Sequence, residues 1–188
     1  MSGGTSKKIV VVLAPGFEEI EAVAPIDVLR RAELDVTIAG VGGTLIRGGH
    51  DVTYQCDVAI EEIDEVPDAI VLPGGLVGAE NLGKSEAVRT LTLKVHESGG
   101  VCAAICAAPA MTLAKFGLLN GRTATCYPSF EGAFDSSTTH SQERVVVDGN
   151  IVTSRGPGTA LEFALRLTAV LAGEDTARTV GDRMLARV

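Results

Sequence analysis

The chain has 188 residues, 46% hydrophobic and 21% charged, a balance that fits one compact unit and excludes a disordered or low-complexity polymer. Its formal net charge of −8 would repel a phosphate-rich partner, which excludes non-specific nucleic-acid binding. Residues 1–6 lack the basic-then-apolar order of a secretory leader, and no apolar run reaches the roughly 20 residues that span a bilayer.

The expectation is therefore a soluble, cytoplasmic protein with no membrane or nucleic-acid partner: one domain over residues 1–188, with 1–7 flexible.

Residues 9–14, Ile-Val-Val-Val-Leu-Ala, read as a buried strand that passes through Pro15-Gly16 into a helix over 18–32. In that helix Ile20, Val23, Ala24, Val28 and Leu29 share one face. A second strand follows at 36–39, and 51–54, after Gly48-Gly49, reads as part of a hairpin or an edge segment. Residues 69–72, Ala-Ile-Val-Leu, form a buried strand stopped by Pro73-Gly-Gly75. Val88, Leu91 and Val95 mark an amphipathic helix over 86–97, and 101–105 is the next strand.

A helix is predicted over 107–116, ending at Gly117. Segments 144–147 and 151–153 flank the turn Asp148-Gly-Asn150, and helices over 159–172 and 174–185 complete the chain. Alternation of buried strands with helices predicts an α/β, doubly wound, mostly parallel sheet sandwiched by helices. Such sheets bind ligands beyond the carboxyl ends of their strands. Three loops lie there: Pro15-Gly-Phe-Glu-Glu-Ile-Glu21, Pro73-Gly-Gly75 and Ile105-Cys-Ala-Ala108.

Cys56, Cys102, Cys106 and Cys126 include no C-x-x-C pair and no neighbouring histidine, which argues against a zinc site or a redox dithiol and for reduced thiols. Cys106 leaves a buried strand just before a helix, where unpaired N–H groups favour a thiolate. The helix dipole, worth about 0.3–1 kcal/mol, shifts a thiol by less than one pKa unit. A reactive thiolate therefore needs further donors, such as backbone amides or a protonated carboxyl from Glu18, Glu19 or Glu21.

The competing reading makes Cys106 a small buried hydrophobe, and that reading is stronger for Cys102, inside the apolar strand. Cys56 stays open, and Cys126, after Thr-Ala-Thr, reads as core with access to solvent as its alternative. At least two of the three glutamates read as a solvated helix face, and Gly74 and Gly75 as either a simple turn or a pair of amide donors.

Five ordered motifs carry a resemblance: Ala14-Pro-Gly-Phe-Glu-Glu-Ile-Glu21, Pro25-Ile-Asp-Val-Leu-Arg-Arg31, Leu72-Pro-Gly-Gly75, Ala103-Ala-Ile-Cys-Ala-Ala-Pro109 and Thr153-Ser-Arg-Gly-Pro-Gly-Thr-Ala-Leu-Glu-Phe163. Together they resemble the DJ-1 branch of the DJ-1/ThiJ/PfpI superfamily, from about Lys8 to the last helix.

The resemblance implies a flavodoxin-like fold, a homodimer, Cys106 as nucleophile and Glu21 as its protonated partner. It also implies that the amides of Gly75 and Ala107 face the sulfur or a developing oxyanion; Gly74 and Tyr127 are candidate substrate-pocket residues. The implied activity is a glyoxalase that needs neither glutathione nor metal, turning methylglyoxal or glyoxal into lactate or glycolate, with protein deglycation as a variant. The alternative is an oxidative-stress sensor or redox-regulated chaperone acting through oxidation of Cys106.

Several relatives carry a histidine near the cysteine where this chain has Tyr127, a poorer base, so Glu21 must carry most of the acid–base work. His50, His96 and His140 are alternatives in principle. Arg30, Arg31 and Arg155 are candidates to favour an anionic product, against the competing reading of solvated surface arginines. The superfamily's peptidase and amidotransferase branches fit less well, because Ala107 rather than histidine follows Cys106.

Overall fold

The computed structural model describes residues 6–186, so the flexibility expected of 1–7 lies outside the described residues for 1–5. Ser6 Oγ donates to the Glu33 carbonyl at 2.8 Å, and the Lys7 carbonyl accepts from Asp35 N–H at 3.0 Å. Both residues are thus tied to the turn that precedes the second strand.

The strands of the main sheet are β1 (Lys8–Leu13), β2 (Asp35–Gly40), β5 (Val58–Ala59), β6 (Ala69–Leu72), β7 (Val101–Ile105), β10 (Val145–Asp148) and β11 (Ile151–Ser154). Between them lie the antiparallel pair β3 (Leu45–Arg47) and β4 (Thr53–Gln55), which is the hairpin anticipated around 51–54. A short parallel pair, β8 (Thr123–Ala124) and β9 (Thr139–His140), stands apart. The helices are α1 (Glu19–Arg31), α2 (Leu76–Lys84), α3 (Glu86–Glu97), α4 (Ala160–Ala172) and α5 (Glu174–Arg183).

The seven-stranded sheet runs β10-β11-β7-β6-β1-β2-β5, parallel throughout except for β10 against β11. β6 is buried along its whole length, and β1 and β7 are buried beyond their first residues, as central strands covered on both faces must be. Helices flank the sheet: α4 packs against both α1 and α5, while α2 packs against α3 and the turn at Pro109–Leu113. Phe17 and Phe163 are the largest of the fully buried side chains. Burying a side chain of this class stabilises the fold by about 1.5–3 kcal/mol.

Two departures from the sequence reading bear on the site. Helix α2 was not predicted, because Leu76–Lys84 carries two glycines that weaken a helix by roughly 1 kcal/mol each. Packing reverses that preference. A Cβ on Gly78 would lie 2.6 Å from Phe17 Cα, and one on Gly83 only 2.4 Å from the Met111 carbonyl oxygen. The chain after Cys106 is also not a regular helix over 107–116 but a wide π turn at Pro109–Leu113, closed by Ala114 N–H onto the Pro109 carbonyl at 2.9 Å. Pro109 has no N–H to give to an ordinary helical ladder, and such π turns gather at functional sites.

Glycine-to-alanine changes inside helices normally stabilise. Gly83→Ala should instead destabilise this fold by about 1–3 kcal/mol, because the new methyl meets backbone rather than a side chain that can turn away. A urea denaturation midpoint equal to or above that of the parent protein would contradict this.

Candidate active site

The carboxyl ends of β1, β6 and β7 bring the three glycine-rich or reactive loops together. Cys106 follows β7 directly, with φ at +66°, a left-handed conformation that a side chain seldom adopts. Such a residue costs about 1–3 kcal/mol and persists only where its surroundings fix it. Two backbone bonds do so: Cys106 N–H donates to the Ser154 carbonyl at 2.9 Å, and the Cys106 carbonyl accepts from Tyr127 N–H at 2.8 Å. At the elbow the backbone N–H groups of Gly75 and Ala107 favour the charged form of the sulfur.

Gly75 is the N-cap of α2, with φ at +79°, and a Cβ there would lie 2.5 Å from the Gly16 carbonyl. Gly74 is needed for a different reason. Its Cβ would stand 2.6 Å from both Cys106 Cβ and Glu21 Oε2, so only a residue without a side chain lets the two functional groups meet.

Glu21 lies in the first turn of α1 and is 0% exposed. Its N–H is accepted by the Glu18 carboxylate at 2.8 Å, which makes Glu18 the N-cap of the helix. Pro25, four residues on, removes the N–H that would otherwise close the helical bond to the Glu21 carbonyl. Glu21 Oε2 accepts from Gly74 N–H at 2.9 Å, whereas the buried Oε1 meets no nitrogen or oxygen partner among the described residues.

Burial, reinforced by the Glu18 charge, raises the Glu21 carboxyl from an ordinary 4.5 to about 7, against the pull of its contacts with Cys106 and Gly74. Burial and the Glu21 charge push the Cys106 thiol up to about 12, and the Gly75 and Ala107 amides only partly offset this. The two amides alone therefore do not ionise the thiol; a charge on sulfur requires that Glu21 keep its proton.

The two groups behave as one acid pair that loses a first proton near 7 and a second only near 12. Between those values the pair holds one proton and one negative charge. Two amides stabilise that charge on sulfur, against one on the carboxylate, and the unpartnered Oε1 is the oxygen suited to carry the proton.

Tyr127 is 45% exposed, with its ring edge-on to Phe130 at 6.2 Å and close against Gly156. The histidines are engaged elsewhere: His50 Nδ1 lies 2.9 Å from Glu19 Oε2, His96 3.2 Å from Asn150 Nδ2, and His140 rests on Phe134. Arg30 bonds the Val36 carbonyl and Asp57, Arg31 bonds Asp27, and Arg155 bonds the Gln142 carbonyl.

Cys56, Cys102 and Cys126 are all buried, and burial pushes their thiols up to about 11, 12 and 11 respectively, with Asp57 adding to the rise at Cys56 and Glu131 at Cys126. Glu18 and Glu19 are not the solvated helix face expected of them. Glu18 caps α1, and Glu19 accepts from the N–H groups of His50 at 2.7 Å and Val52 at 3.4 Å, clamping the loop after β3. Ser154, the anchor of the elbow, escaped the sequence reading of the site because it contributes a carbonyl, which every residue has.

Because the folded Cys106–Glu21 pair keeps both of its protons up to about pH 7, while the unfolded chain releases its Glu21 proton near 4.5, the native state binds more protons across that window. Stability should fall as pH rises from about 4.5 to about 7, by on the order of 3 kcal/mol at about 1.4 kcal/mol per unit. Glu21→Gln should flatten this dependence in denaturation experiments; identical slopes for the two proteins would contradict the assignment.

The DJ-1/PfpI family model matches residues 7–170. The chain is 42% identical to protein dj-1beta of Drosophila melanogaster over 183 residues, 96% of this chain and 97% of that protein. It is 32% identical over 171 residues to the glutathione-independent glyoxalase DJR-1.2 of Caenorhabditis elegans, 90% of this chain and 91% of that protein. The oxidised DJ-1 of Toxoplasma gondii superposes with a TM-score of 0.94 at 37% identity, covering 97% of this chain and 100% of that one. The chain spans about half the length of two Arabidopsis thaliana relatives, 43% and 47%. The fold, the strained cysteine and the run of near-full-length likeness agree, and the chain belongs to the DJ-1/PfpI family, in its DJ-1 branch.

Proposed function

We propose that this protein is a glutathione-independent glyoxalase, a lyase of the hydro-lyase type, converting methylglyoxal or glyoxal to lactate or glycolate. The observation that carries this reading is the buried Cys106–Glu21 pair, with two amides favouring charge on the sulfur and an oxygen of Glu21 that meets no nitrogen or oxygen donor among the described residues. The glyoxalase name of the Caenorhabditis elegans relative supports it.

The Cys106 thiolate adds to the aldehyde carbon of methylglyoxal while Glu21 gives its proton to the aldehyde oxygen, forming a hemithioacetal. The Glu21 carboxylate then takes the proton from the carbon attached to sulfur, and the electron pair moves onto the neighbouring ketone oxygen. Glu21 returns that proton to this oxygen to give an enediol, whose first hydroxyl next gives its proton up to Glu21. Return of a proton to the neighbouring carbon yields the lactoyl thioester. Water cleaves that thioester, releasing lactate and restoring the thiol, so the net change is addition of one water.

The Gly75 and Ala107 amides stabilise the charge that develops beside the sulfur, and Gly74 leaves room for it. Tyr127 orients the substrate. Attack on an aldehyde adduct already carried by a protein side chain is the deglycase variant of the same chemistry. No cofactor enters any step, and the small aldehyde is the partner of the site.

A second face bears on assembly. Ile20 and Val23 of α1 are exposed large hydrophobics, and with Tyr54 and Met184 they line a groove of about 630 Å³. This is the face we assign to a homodimer.

One observation favours the oxidation sensor as a second reading. Cys106, at 8% exposure, is the most accessible of four cysteines otherwise closed to solvent, and a close structural relative is described in an oxidised form. Peroxide would transfer one oxygen to the thiolate, giving a sulfenate and water, and a second would give the sulfinate.

Purified protein mixed with methylglyoxal and no added thiol should form lactate, Cys106→Ser should form none, and Glu21→Gln should turn over about 10²-fold or more slowly. Lactate formation that survives Cys106→Ser would defeat the enzyme reading. For the sensor, intact and peptide mass after dilute peroxide should place the first oxygen on Cys106; oxygen arriving first on Cys102 or Cys126 would defeat it.

A further inference from the structure

Beyond the acid pair, the fold gathers a second set of chemically active side chains. Spacing along the sequence pairs no cysteine with a nearby histidine, but the parallel pairing of β8 with β9 places Ala124 opposite His140 and ties Ser141 N–H to the Ala124 carbonyl at 2.8 Å. This brings His140 beside Cys126. Glu131 joins them from the 3₁₀ turn Glu131–Ala133, and the three ligand atoms, a sulfur, an imidazole nitrogen and a carboxylate oxygen, lie within 4.8 Å of one another.

The only other cluster of this kind among the described residues, Glu18, Glu19 and His50, is already committed. Glu18 caps α1, and Glu19 accepts two backbone N–H groups and faces His50. No hydrogen bond or ion pair among the described residues engages the side chains of Cys126, Glu131 or His140 in that way; His140 makes only a ring contact with Phe134. Arg155, whose charge favours the Cys126 thiolate, is anchored on the Gln142 carbonyl at 3.2 Å.

We propose that Cys126, Glu131 and His140 form a zinc-type metal site, separate from the Cys106 pair. A thiolate, an imidazole and a carboxylate are the ligands of a borderline-soft divalent ion, whereas magnesium and calcium choose oxygen alone. Thiolate and carboxylate together neutralise a divalent charge. Three protein ligands leave a fourth tetrahedral position for water or another small ligand.

Bonds of about 2.0–2.3 Å put tetrahedral ligand atoms about 3.5 Å apart. The exposed Glu131 and His140 side chains reach that spacing by rotating, while Cys126 stays fixed in the core. Binding would release the Cys126 thiol proton to solvent and form one metal–sulfur bond, with no change of oxidation state. The site touches the elbow only through the chain, since Tyr127, next to Cys126, donates its N–H to the Cys106 carbonyl.

Chelator-stripped full-length protein should be titrated with zinc against a chromophoric competitor, and with cobalt(II), whose thiolate charge-transfer absorption reports a metal–sulfur bond. The parent protein and Cys106→Ser should each take up one zinc per chain. His140→Ala and Glu131→Gln, both at exposed positions, should weaken binding about tenfold or more, and Cys126→Ser should abolish the cobalt–thiolate band. If Cys126→Ser does not fold, the two exposed variants decide. The proposal is overturned if the parent protein takes up no zinc, if Cys106→Ser abolishes uptake, or if His140→Ala and Glu131→Gln bind as tightly as the parent.

Discussion

Two acids that share one buried proton set the terms for the rest of this structure. Glu21 is fully enclosed and Cys106 nearly so, and removing both of their protons would leave two anions in a site with little water to screen them. The fold therefore supplies donors for one negative charge and not for two. The amides of Gly75 and Ala107 serve the sulfur and that of Gly74 serves Glu21 Oε2. Oε1 meets no nitrogen or oxygen donor among the described residues, and a carboxyl proton there is the simplest way to satisfy it.

That requirement explains features that look unrelated in sequence. The left-handed backbone at Cys106 is unfavourable by itself, and it is held by Ser154 on one neighbouring strand and by Tyr127 on a loop. Gly74 lacks a side chain because Cys106 Cβ and Glu21 Oε2 occupy the space that one would need. Glu18 fixes the first turn of α1 and so aims Glu21, and its charge also helps keep Glu21 protonated. Strain and desolvation at the site are offset by a core in which β1, β6 and β7 are almost wholly buried.

Much of this was legible in the sequence, for a physical reason. Central strands of a parallel sheet are covered on both faces, so 9–13, 69–72 and 101–105 are continuous apolar runs, and the loops after them are where ligands bind. Cys106, Glu21, Gly75 and Ala107 stand on those loops, and the structure brings all four together. Tyr127 is joined to that group through its backbone N–H, which donates to the Cys106 carbonyl.

What was hidden depended on packing between distant segments. The glycines of α2 disfavour a helix locally, and the reason they stand there, the close approach of Phe17 and of the Met111 carbonyl, exists only in the folded chain. The wide turn after Pro109 carries no pattern distinct from that of an ordinary helix. The approach of His140 to Cys126 follows from pairing of two strands of two residues each, too short for any periodicity to reveal. Glu18 and Glu19 read as a charged surface because their partners are backbone N–H groups, which composition does not display.

The central claim is about where one proton sits, and spectroscopy of the resting protein addresses it directly. Between the two values of the pair, for instance at about pH 8, ultraviolet absorbance should show a thiolate that disappears in Cys106→Ser. At the same pH an infrared difference spectrum should show a protonated carboxyl stretch that disappears in Glu21→Gln. Finding instead an ionised Glu21 carboxylate beside a neutral Cys106 thiol would contradict the account.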